Sequence, residues 1–157
     1  MRPGGQREKG KVFERKIAAV LRTRWPGAIV RRASQAERAH NPDVFIERGP
    51  RILERMWLEL QDSAQATPAV KLSQATRDVE RDPRTYPPGQ HRLPVAITHR
   101  LGSRTVEATL NLGDLMDIVE PSWIHAEDGD ITMPLDTFLA IVQRGAERRT
   151  ESEVACA

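Results

Sequence analysis

A mixed α/β fold, a small mixed β-sheet flanked by helices, is what this sequence of 157 residues predicts. Three observations carry that expectation. An apolar stripe recurs at helical spacing near the start, and three short extended runs follow between residues 28 and 61. Helical and extended patterns then alternate along the rest of the chain. With 39% hydrophobic and 29% charged residues the chain can bury a core, and its length suits one domain.

Residues 1–9 mix glycine, proline and charge and are expected to form a flexible basic arm. Over residues 10–24, Phe13, Ile17, Val20 and Leu21 share one helical face, and Trp25-Pro26-Gly27 stops the helix. Residues 28–33 form a short β-branched run that reads as a strand. Residues 34–41 are polar and loop-like, and residues 42–47 return as a strand. A turn at Gly49-Pro50 leads to the strand over residues 55–61. There Met56, Leu58 and Leu60 face one way, and Trp57, Glu59 and Gln61 the other.

A helix is expected over residues 68–81, with Ala69, Leu72, Ala75, Thr76 and Val79 inward. Residues 82–92, rich in proline and charge, read as a surface loop. A hairpin over residues 94–99 and 105–110, a short helix over 111–120, a turn at 128–130 and a helix over 134–144 complete the folded part. Residues 146–157 lack periodicity and are expected to be disordered. One internal echo stands out: residues 109–119 align with residues 132–142 at Thr, Leu, Ile and Val, as two strand-to-helix junctions would.

Charge is unevenly distributed. The formal net charge is +2, but residues 1–38 hold eleven Lys/Arg against three Glu, and the remaining 119 residues carry a net charge of −6. A basic N-terminal quarter suits a polyanion, nucleic acid first. Apolar runs are far too short to span a bilayer, so no membrane partner is expected. The N-terminal residues lack the apolar core of a signal peptide, which predicts a cytoplasmic location. The single cysteine, Cys156, permits neither a disulfide scaffold nor a cysteine-rich zinc site. His40, His91, His99 and His125 are scattered without zinc spacing, and no glycine-rich phosphate loop indicates a nucleotide cofactor. Ser34 lies in no nucleophile motif, and Asp62 reads as a strand-end residue.

Asp43 and Glu59 are the residues that suggest chemistry. They stand sixteen residues apart on two strands that a hairpin through Gly49-Pro50 would bring together. Paired carboxylates suit a hard divalent cation with oxygen ligands, which can stabilise charge developing on a phosphate.

Three blocks resemble the PD-(D/E)XK nuclease superfamily, most closely its archaeal- and phage-type Holliday junction resolvases. They are Lys9-Gly-Lys-Val-Phe-Glu-Arg-Lys16, Asn41-Pro-Asp-Val-Phe45 and Trp57-Leu-Glu-Leu-Gln61. Arg31-Arg-Ala-Ser-Gln35, Leu72-Ser-Gln-Ala-Thr76 and Pro94-Val-Ala-Ile-Thr-His-Arg100 are similar to the segments that precede and follow these blocks. The resemblance implies a restriction-endonuclease-like core over residues 10–145. It implies that Asp43 and Glu59 ligate Mg²⁺ or Mn²⁺ and that Glu14 completes the acidic cluster. The activity it implies is endonucleolytic cleavage of branched, Holliday-junction-like DNA in recombination or repair, by a homodimer with two active sites.

Gln61 departs from the pattern, because the family usually has lysine there to orient water and add positive charge. Either Gln61 positions the water by hydrogen bonding, or Lys71 reaches back into the site from the following helix. Without such a contact, Lys71 reads as a solvated helix residue. Arg2, Arg7, Lys9 and Lys11 would track phosphates, with Arg31 and Arg32 near the scissile strand. Two other readings compete. One is a catalytically inactive DNA-binding module. The other is a phage or host interaction protein, for which Asp43 and Glu59 should point apart or be held in salt bridges.

Overall fold

The computed structural model describes residues 3–34, 41–82, 91–119 and 129–155, with side chains described between residues 8 and 150 of those spans. Among the described residues, six strands form one sheet in chain order: β1 (Ile29–Arg32), β2 (Val44–Arg48), β3 (Met56–Ser63), β4 (Leu93–Arg100), β5 (Val106–Asn111) and β6 (Asp130–Pro134). Neighbouring strands run antiparallel except β3 and β4, which are parallel and place Glu59 beside Ala96 and Gln61 beside Thr98. A parallel pair needs a crossover, and helix α3 (Pro68–Glu80) lies in that connection. Four further helices complete the order among the described residues: α1 (Pro3–Arg24), α2 (Arg51–Glu54), α4 (Leu112–Val119) and α5 (Leu135–Ala155). This is the mixed sheet flanked by helices that the sequence predicts.

The two faces of the sheet differ in chemistry. Alternation along β3 to β5 sends Leu58, Leu60, Val95, Ile97, Ala108 and Leu110 to one side. There they join Phe13, Ile17 and Leu21 of α1 and Phe138, Leu139 and Val142 of α5 in the main apolar core. The opposite face carries Glu59, Thr98 and Thr109, three of the few buried polar side chains. Helix α3 covers part of that face through Leu72 and Ala75. Thus β3 is buried on both sides from Met56 to Leu60 rather than half-solvated.

The internal echo takes a definite form. Thr109 and Thr132 are register partners in the β5–β6 pair, and their hydroxyl oxygens lie 2.8 Å apart. The two strand-to-helix units therefore meet about the equivalent threonines. Helices α4 and α5 also pack together, so closely that a Cβ on Gly145 would lie 2.5 Å from the Ile118 carbonyl oxygen.

Several elements differ from the sequence reading. Helix α1 starts at Pro3 instead of following a loose arm over residues 1–9. Proline is tolerated in a first turn, and Glu8 faces Lys11 and Arg15 along the helix surface at 3.7 and 3.6 Å. Helix α5 continues to Ala155 through a segment expected to be disordered. Ala146 packs against the core, and Arg149 donates to the Asp117 carbonyl at 2.7 Å, which anchors the continuation. Strand β6 is longer than the turn expected at 128–130, because β5 supplies its ladder partners. Ala69, placed inward by its spacing, is exposed. The polar segment 35–40, residues 83–90 of the expected loop, and Arg2, His40, His125 and Cys156 lie outside the described residues.

Candidate active site

Asp43 sits just before β2, where only Val44 and Leu58 are register partners between β2 and β3. Beyond that pair the edge of β3 would lack backbone partners. The Asp43 side chain takes over, and its Oδ2 accepts from the Leu60 N–H at 2.9 Å. Glu59 lies one residue away on β3 and points to the polar face. Its Oε1 accepts from Trp57 Nε1 at 3.1 Å, and its Oε2 accepts from Gln74 Nε2 at 3.3 Å.

Lys71 joins these carboxylates. Its Nζ donates to Glu59 Oε2 at 2.9 Å and lies 3.7 Å from Asp43 Oδ2. The Lys71, Asp43 and Glu59 side chains are 13%, 16% and 6% exposed, so this is a partly enclosed ionic cluster. Of the two expectations for Lys71, a side chain reaching back from the following helix or a solvated residue, the contacts are those of the first. It belongs to the first turn of α3, which crosses the polar face and aims the side chain back at β3.

The position taken by lysine in the PD-(D/E)XK pattern is used differently here. Gln61 Oε1 accepts from the Thr67 N–H at 3.4 Å, at the entry to α3. Gln61 thus links β3 to the helix start, while Lys71 supplies the cation.

Burial, followed by the Asp43 charge, raises the Glu59 pKa from 4.5 to about 7, and Lys71 and Trp57 act in the opposite sense. Asp43 Oδ2 and Glu59 Oε2 are the oxygens that could hold a hard divalent cation. Their donor chemistry fits one, since two carboxylates already converge on a single positive group.

Glu14 has a different setting. It is 5% exposed on α1, and its Oε2 accepts from Arg32 Nε at 2.6 Å. Among the described residues, no group of three or more His, Cys, Asp or Glu side chains gathers as a metal-ligand set. The site therefore consists of two carboxylates and a lysine.

Of the basic residues expected to meet phosphate, Lys9 is exposed, Lys11 faces Glu8, and Arg32 pairs with Glu14. Arg31 pairs with Glu47 and lies 4.1 Å from the Phe45 ring centroid. Arg7 falls within α1, but its side chain is outside the described set.

Three contacts have no role in the sequence reading. Trp57 and Gln74 orient Glu59, and their alternation and helical spacing could have placed them near it. The third is an Asp62–His99 pair on the opposite face, where His99 Nδ1 lies 2.9 Å from Asp62 Oδ1. The His99 ring stacks on Phe13 at 6.0 Å. Hydrogen bonding to Asp62, then to the Ser103 carbonyl, raises the His99 pKa. At the opposite end of β3, buried Arg55 pairs with Asp117 at 2.6 Å and donates to the His91 carbonyl at 3.0 Å.

A scan against protein-family models, a search of curated proteins and a search of solved structures each find no match. Among the described residues, no helix is long and apolar enough to cross a membrane.

Proposed function

We propose that the chain is a metal-dependent DNA endonuclease of the PD-(D/E)XK type, with a restriction-endonuclease-like core and a resolvase-like preference for branched DNA. The observation that carries this reading is the meeting of Asp43 and Glu59, from adjacent strands, at Lys71 Nζ. Asp43 and Glu59 would hold Mg²⁺ or Mn²⁺, which supplies Lewis acidity at the scissile phosphate when bound. The Leu60 N–H and Trp57 Nε1 fix the two carboxylates before any ligand arrives. Lys71 orients the attacking water and adds positive charge beside the phosphate, the role usually filled from the Gln61 position. Water adds to phosphorus as the P–O ester bond breaks, leaving one phosphate monoester and one hydroxyl. Exposed Lys9 and the basic N-terminal quarter favour a polyanionic substrate.

The same ion pairs favour a second reading. Lys71 already pairs with both carboxylates internally, as in a site that binds DNA or a protein without hydrolysing anything. Cleavage of four-way, flapped and linear DNA with Mg²⁺ or Mn²⁺ separates the two. The endonuclease cuts at least one of these substrates and stops in EDTA; absence of metal-dependent cutting on all three refutes it.

A further inference from the structure

The polar sheet face continues past the carboxylates into a cleft of about 230 Å³ beside the start of α3. Pro68, Thr98, Arg100, Thr105 and Glu107 line it. Thr98 is 2% exposed and forms part of its floor, and among the described residues the Thr98 hydroxyl has no hydrogen-bond partner. Burying a hydroxyl without a partner costs free energy, so this group calls for a ligand or a water.

Glu107 is the register partner of Thr98, two residues before Arg100 on β4, so Glu107 and Arg100 project from the same face. Despite this, neither belongs to an ion pair among the described residues. The cleft therefore offers a carboxylate acceptor, a guanidinium donor and a hydroxyl able to act as either.

That combination selects its occupant. A phosphate would meet the Glu107 charge, and an apolar group would leave the buried Thr98 hydroxyl unsatisfied. A nucleobase edge presents donors and acceptors together, and carboxylate and guanidinium groups pair with such edges. Thr98 lies beside Gln61, two residues from Glu59, or about 7 Å along the strand at ~3.3 Å per residue. A strand held at the carboxylates brings its next base within reach of the cleft. We propose that this cleft receives a nucleobase adjacent to the scissile phosphate. Because a base stacked in a duplex cannot enter, the protein then selects DNA whose base beside the cut is unpaired. This inference rests on the endonuclease reading and names the substrate feature that its site recognises.

The test uses the full chain and flapped DNA carrying 2-aminopurine at successive positions around the branch. Fluorescence is read in EDTA, and cleavage of the same DNA is read in Mg²⁺. Wild type should change the emission of one unpaired position and leave the paired control unchanged. Glu107→Gln and the isosteric Thr98→Val should abolish that change and weaken flap binding about tenfold, with linear duplex binding unaltered. Circular dichroism verifies that both variants fold.

Equal emission changes at every position, or an unchanged response in both folded variants, would overturn the base site. Cleavage without a position-specific signal refutes the base site and leaves the endonuclease standing. A position-specific signal without cleavage refutes the endonuclease and overturns the placement beside a scissile phosphate, leaving only a pocket for an unpaired base.

Discussion

The Lys71 ammonium donates to Glu59 Oε2 across 2.9 Å, joining the first turn of α3 to the middle of β3. The same ammonium lies 3.7 Å from Asp43 Oδ2, so one lysine joins both carboxylates. Replacing Lys71 by Met leaves two partly buried carboxylates facing each other. The expected loss is about 2 kcal/mol of unfolding free energy in metal-free buffer, read from urea denaturation. Millimolar MgCl₂ should restore much of it in Lys71→Met and little of it in the double variant with Asp43→Asn. Equal responses to MgCl₂ would remove Asp43 from the cation site.

Glu59 gives a pH signature. Its folded pKa of about 7 lies above the ordinary 4.5, so the folded state binds its proton more tightly than the unfolded state. The protonated form is favoured by folding, and stability declines as pH rises from about 4.5 to about 7, then levels off. Urea midpoints measured in EDTA should follow that slope in wild type and flatten across the window in Glu59→Gln. A slope unchanged by the substitution would mean that another group titrates.

His99 behaves as a base held by Asp62. Its pKa is raised, so its charged form adds stability below the usual imidazole value of 6.5, lost as pH climbs through the raised value. In Asp62→Asn the imidazole should titrate lower than in wild type, followed by its ring-proton chemical shifts. An identical titration in both proteins would contradict the pairing.

Gly145 sits where α5 meets α4. In an open helix, Gly→Ala gains up to about 1 kcal/mol, but here the new Cβ would lie 2.5 Å from the Ile118 carbonyl oxygen. Backbone cannot move aside as a flexible side chain does, so Gly145→Ala should cost about 1–3 kcal/mol. Thermal denaturation should register it as a Tm lower by roughly 2–4 °C per kcal/mol. A raised Tm would show that the helices separate freely.

Periodicity made much of this architecture legible. Phe13, Ile17 and Leu21 are buried as their spacing requires, and the strands around Asp43 and Glu59 lie side by side. Local patterns could not supply partners distant in the chain. Strand β6 exists because β5 pairs with it, and α5 persists because Ala146 and Arg149 find contacts across the fold. Lys71 is the sharpest case. Its spacing within α3 is compatible with solvent, and only the crossing of α3 over β3 turns it toward Glu59. Gln61 shows the converse: a motif position taken into a helix-start contact that no spacing rule anticipates. Glu14, placed in the acidic cluster by resemblance, accepts a hydrogen bond from Arg32 of β1, a partner its position in the sequence does not indicate.

Cleavage in Mg²⁺ of whichever four-way, flapped or linear DNA wild type cuts tests the central claim most directly, with wild type beside Asp43→Asn, Lys71→Ala and Gln61→Ala. Cutting should be abolished in Asp43→Asn, fall at least a hundredfold in Lys71→Ala, and stay within a few-fold of wild type in Gln61→Ala. Full activity in Asp43→Asn or Lys71→Ala, or no cutting of any of these DNAs by wild type, would contradict the account.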